Sequence, residues 1–339
     1  MEYPAVEGYF MPAEWERHDC CWMSWPCRIE LWRDRYDNAC VNYAEVIRAI
    51  AEFEPVKLLA PPGMAAAIRF QLGLNVEITE VTQDDSWFRD NGPSFLIDGQ
   101  GNGAGVSWHF NAWGNKYHDY EADDRAATWL LEHLGLRAFD GAMVLEGGAF
   151  DVDGAGLLIT AEAVVLNPNR NPTLNQQQIE ERLAMFLGIR KVIWLPDGLI
   201  DDDTDGHIDN VARFAGAGRL LHPITSDEND KNFERLRDIR AQLQQATDAR
   251  GQALELIELP HPAPRSGENG QQLPRSYLNF YLANDAVIVP QFDDPNDARA
   301  LDILREVFSS RKAVAVNINE IVMGGGGIHC ITQQQPSRG

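Results

Sequence analysis

Positive charge is scarce in this chain: 29 lysines and arginines stand against 51 aspartates and glutamates, a formal net charge of −22 at neutral pH. A field of that sign repels phosphate backbones and anionic membrane surfaces and draws cations toward any acid-lined cleft, so no nucleic-acid partner is expected. Long hydrophobic runs are lacking too. No segment approaches the ~18 uninterrupted apolar residues of a membrane span. The opening residues, MEYPAVEGYF, have no basic-then-apolar signal pattern, which makes a cytoplasmic protein with no membrane partner the expectation. Cysteine is sparse and odd in number (Cys20, Cys21, Cys27, Cys40, Cys330), without a C-x-x-C pair or the Cys/His spacing of a zinc site. A disulfide framework is therefore not indicated, and buried thiols are predicted for the first four. No G-x-G-x-x-G follows the first strand-like run, which argues against a doubly wound dinucleotide-binding sheet. No linker rich in Ser or Pro divides the chain, so residues 1–339 read as a single domain.

Apolar residues three and four apart predict helices in EVIRAIAEF (45–53), DRAATWLLEHL (124–134), QQIEERLAMFL (177–187), NFERLRDIRAQLQQA (232–246) and NDARALDILREVF (296–308). Thr173 is the expected start signal of the third, and Asp294-Pro295-Asn296 that of the fifth. Between them VKLLA, VEITEV, LLIT, AVVL, KVIWL, LELIEL, YLNFYLA, AVIV and AVAV read as strands. Strands outnumber helices roughly two to one, and a helix recurs every ~55–80 residues, which suggests an α/β fold built from a β-β-α-β unit used five times. HPAPRSGENGQQLPR (261–275) reads as a loop rather than a boundary.

Three polar stretches interrupt this pattern, each combining carboxylates with glycine near a strand end: QDDSWFRDNGP (83–93), LEGGAFDVDG (145–154) and DDDTDGHIDN (201–210). Loops on a rigid scaffold are where binding residues concentrate. In the third, His207 and Asp209 share a face if the segment is extended, and the surrounding carboxylates favour the imidazolium form. Two other readings stay open there. A calcium loop fits the alternating aspartates, although Ala212 falls where the bidentate Glu belongs; a merely solvated acidic loop is the other.

Near the C-terminus stands MGGGGIHCITQQQP, in which four successive glycines flank Cys330. A thiol beside a cationic imidazole ionises more easily and becomes a competent nucleophile; a structural buried cysteine is the competing reading. His329 is its sequence neighbour, but adjacent residues of an extended segment point to opposite faces. The intervals Asp90 to Glu146 and Glu146 to His207 are each about 60 residues, and His207 to Cys330 is about twice that. Equivalent loops of a five-fold repeat would bring these residues to one centre, with the missing fourth unit contributing near position 270, in the loop ending Pro274-Arg275-Ser276. Carboxylates around a nucleophile repel an ordinary carbonyl substrate but suit a planar guanidinium, whose N–H fork they match while its central carbon stays open to a thiolate.

Taken together, MPAEW (11–15), DDSWFRDNGP, FNAWG, LEGG, LNPNRNP, DDDTDGHIDN, SYLNFY, VIVPQF and GGGGIHCITQQQP resemble, in order and over nearly the whole length, the agmatine deiminase family within the guanidine-modifying superfamily. The resemblance implies the five-bladed α/β propeller called the pentein fold. It implies hydrolysis of agmatine, a small cationic guanidine, to N-carbamoylputrescine and ammonia, with no metal and no cofactor, in a homodimer or higher homo-oligomer. By position it implies Cys330 as nucleophile, His207 as general acid and base, and Glu146 as the acid that orients and tunes it. Asp90 and Asp209 would grip the guanidinium, Asp203 would contact substrate, and Trp87 and Trp113 would wall the aliphatic chain. Two other functions remain open: a deiminase of free or peptide-bound arginine, for which Arg89 and Arg275 are the nearest carboxylate partners, and a non-catalytic binding module of the same fold.

Overall fold

Sixteen strands among the described residues, 3–267 and 270–338 of a computed structural model, sort into five small sheets. The first holds β1 (His18–Ser24), β2 (Val56–Ala60) and β3 (Glu77–Glu80), all parallel, joined by helices α1 (Tyr36–Ala51) and α2 (Ala65–Leu72). Helix α1 forms because residues 39, 43, 46, 47 and 50 lie on one stripe; all five are buried. Replacing Ile47 or Ile50 by Ala there would cost about 2–5 kcal/mol.

The next four sheets repeat one pattern: an antiparallel pair, then a helix, then a strand parallel to the second. They comprise β4 (Ser94–Ile97), β5 (Gly103–His109), α3 (Ala126–His133) and β6 (Arg137–Val144), followed by β7 (Phe150–Val152), β8 (Leu157–Ala161), α4 (Gln176–Leu187) and β9 (Lys191–Leu195). Then come β10 (Arg213–Gly216), β11 (Arg219–Ile224), α5 (Phe233–Leu243) and β12 (Glu255–Pro260), and finally β13 (Tyr281–Ala283), β14 (Ala286–Gln291), α6 (Asp297–Val307) and β15 (Lys312–Asn317). The last strand, β16 (Thr332–Pro336), returns to pair antiparallel with β1, Met23 opposite Thr332 and Trp22 opposite Gln333. It supplies the antiparallel partner that the first sheet lacks. The five-fold ββαβ propeller is thereby completed by joining the two ends of the chain.

All five anticipated helices are present within a few residues of their expected limits, apart from α1, which begins nine residues earlier than the expected start at 45. Two strand readings are corrected. AVVL lies in a single helical turn, Glu162–Val165, with Val164 and Val165 buried; a short apolar run fits a buried turn as well as a strand. In YLNFYLA only Tyr281–Ala283 is extended, because the preceding residues turn inward. Helix α4 starts at Asn175, not Thr173. Asn175 Oδ1 accepts from Gln178 N at 3.0 Å while Gln178 Oε1 accepts from Asn175 N at 2.9 Å. The 261–275 loop is irregular as expected, with residues 268 and 269 outside the described ones.

The topology matters most just ahead of the antiparallel strand of each repeat. There the chain makes a tight turn: Phe88–Asn91 before β4, Gly147–Ala149 before β7, Ile208–Asn210 before β10, the bend at Ser276 to Asn279 before β13, and His329–Ile331 before β16.

Candidate active site

These five turns carry Asp90, Glu146, the pair His207 and Asp209, Asn279, and Cys330. All are buried. Their side chains meet because of Gly148. A Cβ there would lie 2.5 Å from His207 Nδ1, 2.9 Å from Asp90 Oδ1 and 3.1 Å from Asp209 Oδ2, so only glycine permits the cluster to close. Gly148 N–H also donates to Asp90 Oδ1 at 2.9 Å, and Trp113 Nε1–H to Asp90 Oδ2 at 2.9 Å.

Trp113 is delivered by unusual backbone. Ala112, Trp113, Gly114 and Asn115 all have positive φ, at 50°, 54°, 90° and 62°. Each non-glycine residue costs about 1–2 kcal/mol in that region, and such strain collects where a side chain must be aimed. Asn111 holds the turn, its Oδ1 accepting from Gly114 N at 2.9 Å.

His207 is almost wholly buried, yet neither ring nitrogen has a hydrogen-bond partner among the described residues; the nearest carboxylate oxygen, Asp90 Oδ1, is 3.7 Å from Nδ1. Burial pulls the imidazole pKa down, but the charges of Asp90, Glu146, Asp209 and Asp202 outweigh it and raise it above the usual value. Burial likewise pushes the Asp90 carboxyl up, against the opposing pull of His207. Glu146 is held from the far side by Arg170, whose Nε donates to its Oε1 at 2.5 Å. The same guanidinium reaches Asp205 Oδ2 at 2.7 Å and Thr204 O at 3.1 Å, tying Glu146 to the acidic loop.

Cys330 Sγ lies 3.3 Å from Asn279 Nδ2, 3.4 Å from Asn279 Oδ1 and 3.7 Å from Asp209 Oδ2. Burial and the charges of Asp209 and Asp90 push the thiol well above its ordinary pKa, against the backbone of Gly327 and the Asn279 amide. Beneath it runs a buried ionic chain. His329 places Nδ1 2.8 Å from Asp209 Oδ2 and Nε2 2.9 Å from Glu14 Oε2, and Arg213 donates to the same Glu14 oxygen at 2.8 Å. Burial pushes Asp209 up, but the His329 contact wins and holds its carboxyl below the usual range.

The four glycines pack against this floor. Gly325 takes a left-handed φ of 102°, and a Cβ on Gly326 would come within 2.4 Å of the Trp87 ring and 3.1 Å of Cys330 Cβ. The resulting pocket is lined by Trp87, Asp90, Trp113, Tyr117, Asp203, Thr204, Gly324, Gly325, Gly326 and Cys330. It adjoins an outer vestibule of about 310 Å3 that shares Tyr117, Asp203, Gly324 and Gly325 with it. Asp203 is exposed at this neck, with Tyr117 Oη–H 3.4 Å from its Oδ2.

The sequence-predicted residues Cys330, Asp90, Asp203, Trp87 and Trp113 thus line one pocket, with His207, Asp209 and Glu146 packed beneath it. The route differs in places. His207 precedes a turn rather than lying on an extended strand, and His329 and Cys330, though adjacent, both reach Asp209 because Cys330 too is in a turn. The acidic loop is no calcium loop. Asp201 pairs with Lys231, Asp202 accepts from Thr204, Asp205 pairs with Lys116 and Arg170, and Asp209 meets His329, so the carboxylates diverge. The fourth repeat contributes Asn279 to the buried cluster, while the loop ahead of it reaches only the outer vestibule, through Gln271, Gln272, Leu273 and Pro274. Neither Arg89 nor Arg275 lines the Cys330 pocket or its vestibule: Arg89 donates to His329 O and Gln334, and Arg275 pairs with Asp294. Of the first four cysteines, Cys20, Cys21 and Cys40 are buried and Cys27 is half-buried.

Residues 10–336 match the model of the Porphyromonas-type peptidyl-arginine deiminase family. The chain belongs to this family. Its curated relatives include agmatine deiminases of Stutzerimonas stutzeri, 43% identical over 98% of this chain and 97% of that protein, and of Medicago truncatula, 40% identical over 98% of each. Among solved structures, an agmatine deiminase of Enterococcus faecalis superposes with a TM-score of 0.96 at 36% identity, covering 100% of this chain and 99% of that one. The family fold extends further: DDAH from Pseudomonas aeruginosa, 14% identical, superposes at 0.53 over 94% of this chain and 99% of its own, a likeness of fold alone.

Proposed function

We propose that the protein hydrolyses agmatine to N-carbamoylputrescine and ammonia, with Cys330 as nucleophile and His207 as proton shuttle. The observation that carries this reading is a buried imidazole with no hydrogen-bond partner on either nitrogen among the described residues, packed with two carboxylates beside a lone thiol. A guanidinium entering there brings N–H donors to Asp90 and Asp209 and positive charge to the sulfur. That charge favours the thiolate, offsetting the burial that raises the thiol's pKa. The thiolate attacks the guanidinium carbon. His207, kept as imidazolium by its carboxylates, gives its proton to the departing ammonia, and the neutral ring then takes a proton from the water that attacks the S-amidino intermediate. Collapse releases the ureido product and the free cysteine. Glu146, fixed by Arg170, supports the charge on His207; Trp87 and Trp113 flank the methylene chain.

Agmatine is favoured over arginine by Asp203. Its carboxylate stands at the neck, where a primary ammonium gains and an α-carboxylate is repelled. Ammonia release from agmatine, free arginine and an arginyl peptide, assayed side by side, tests this; turnover of either arginine substrate at the agmatine rate would overturn it. Alkylation of Cys330 by 2-chloroacetamidine, blocked by agmatine, distinguishes the enzyme from a non-catalytic binding module.

A further inference from the structure

The loop that carries Asp203 and His207 holds one more carboxylate, Asp205, which lines neither the Cys330 pocket nor its vestibule. Its backbone nonetheless sits at a left-handed φ of 70°, a conformation that a non-glycine residue keeps where its side chain must be aimed. Three donors from two other loops meet that side chain. Oδ1 accepts from Lys116 Nζ at 2.6 Å, and Oδ2 accepts from Arg170 Nη1 at 2.7 Å and from Asn169 Nδ2 at 3.0 Å. Burial pushes the Asp205 carboxyl up, but these donors win and hold it below the usual range.

Two of the three donors are themselves tied down. Arg170 is buried, donating through Nε to Glu146 and through Nη2 to Thr204 O. Asn169 O accepts from Asn111 Nδ2 at 2.9 Å, and a Cβ on Gly114 would lie 2.4 Å from Asn169 Nδ2 and 2.7 Å from Arg170 Nη1. Oδ2 of Asp205 is therefore fixed against closely packed structure. Its other oxygen meets Lys116, whose Nζ bridges it to the main-chain oxygen of Asp203. Lys116 follows directly on the strained turn that delivers Trp113, and Tyr117 beside it donates to Asp203 Oδ2 at 3.4 Å. A lone Lys–Asp pair at a surface contributes little, but this ammonium has two acceptors, one of them anchored from behind.

We propose that Asp205 is a positioning residue for substrate selection: by way of Lys116 it sets the backbone of Asp203, and with it the carboxylate that meets the far ammonium of agmatine. The inference rests on that pairing of Asp203 with the ammonium. Asp205→Asn leaves a single acceptor oxygen for Arg170 and Asn169 and presents N–H to Lys116, donor against donor. Lys116 then loses its anchor, and Asp203 is no longer held. Asp205→Glu keeps the charge but carries the oxygens one methylene further, so the same bridge no longer fits.

The test compares agmatine with n-butylguanidine, which has the same chain and guanidinium but no ammonium and is read as a competitive inhibitor of agmatine turnover. In both Asp205→Asn and Asp205→Glu the KM for agmatine should rise about fivefold or more, while the inhibition constant of n-butylguanidine changes by less than about twofold. Asp203→Asn, measured alongside, should show the same split. A parallel rise of both constants in the Asp205 variants, as a general loosening of the fold would give, or no rise in either, overturns the inference. So does a split in Asp205→Asn that Asp205→Glu lacks, since charge alone then explains it. Asp203→Asn keeps the two failures apart. If it shows the split and the Asp205 variants do not, only the inference falls; if it shows none, the reading of Asp203 falls and the inference with it.

Discussion

Asn279 holds its amide against Cys330, Nδ2 3.3 Å and Oδ1 3.4 Å from Sγ, while the same Oδ1 accepts the backbone N–H of His329 at 2.9 Å. The backbone donor fixes which amide atom is oxygen. One side chain can therefore accept from the thiol or donate to the thiolate, and so serves both states of the sulfur.

That gives the first prediction. Asn279→Asp keeps the oxygen that His329 needs but replaces the donor by an anionic oxygen beside the sulfur. Ionisation of Cys330 becomes harder, so iodoacetamide alkylation should shift to higher pH, and turnover should fall about 10²-fold, the usual loss for one donor in a polar site. An unshifted alkylation profile would show that the amide does not act on the sulfur.

Cys330→Ser replaces the nucleophile with a hydroxyl of far higher pKa in a site that already disfavours anions. Ammonia release should drop on the order of 10⁴-fold or more while agmatine still binds, because Asp90 and Asp209 remain. Steady-state assay and calorimetry together check this. Retained turnover would remove Cys330 from the mechanism.

Removing a carboxylate near His207 must lower its pKa. Asp202 is one of the four that raise it, lies buried, and accepts from Thr204 and Asn210 rather than from the ring. In Asp202→Asn the imidazolium should lose its proton at lower pH than in the wild type, and the alkaline limb of kcat/KM should move the same way. Nitrogen-15 NMR of the His207 ring reads the shift directly; a rise in pKa would contradict the electrostatic account.

Arg170→Gln breaks a buried pair. Glu146 would be left with an uncompensated charge, a change that costs about 3–5 kcal/mol and that urea denaturation measures. Activity should fall as well, because the guanidinium also anchors Thr204 and Asp205 beside the pocket. A variant of unchanged stability would show that the Arg170–Glu146 pair contributes nothing to holding the fold.

Much of this protein is legible from the chain alone because its signals are local. The apolar positions 46, 47 and 50 specify a helix wherever they sit, although the turns ahead of residue 45 escaped the pattern, and the roughly 60-residue recurrence announces a repeat before any contact is known. Cys330, His207, Glu146, Asp90 and Asp209 could be proposed from type and spacing, since acids and glycines among apolar strands have no packing role to fill. Tertiary structure decided the rest. The spacing places the fourth contribution too early, because the repeats are unequal: Asn279 lies 69 residues after Asn210 and 51 before Cys330. Nothing in LNPNRNP announces that Arg170 will clamp Glu146, and nothing in MPAEW that Glu14 will meet His329 from 315 residues away. Periodicity sets which face of an element is buried. Which buried groups share a hydrogen bond depends on how the five units close into a ring, and that closure is made by β16 meeting β1, a contact between the two ends of the chain that no local pattern encodes.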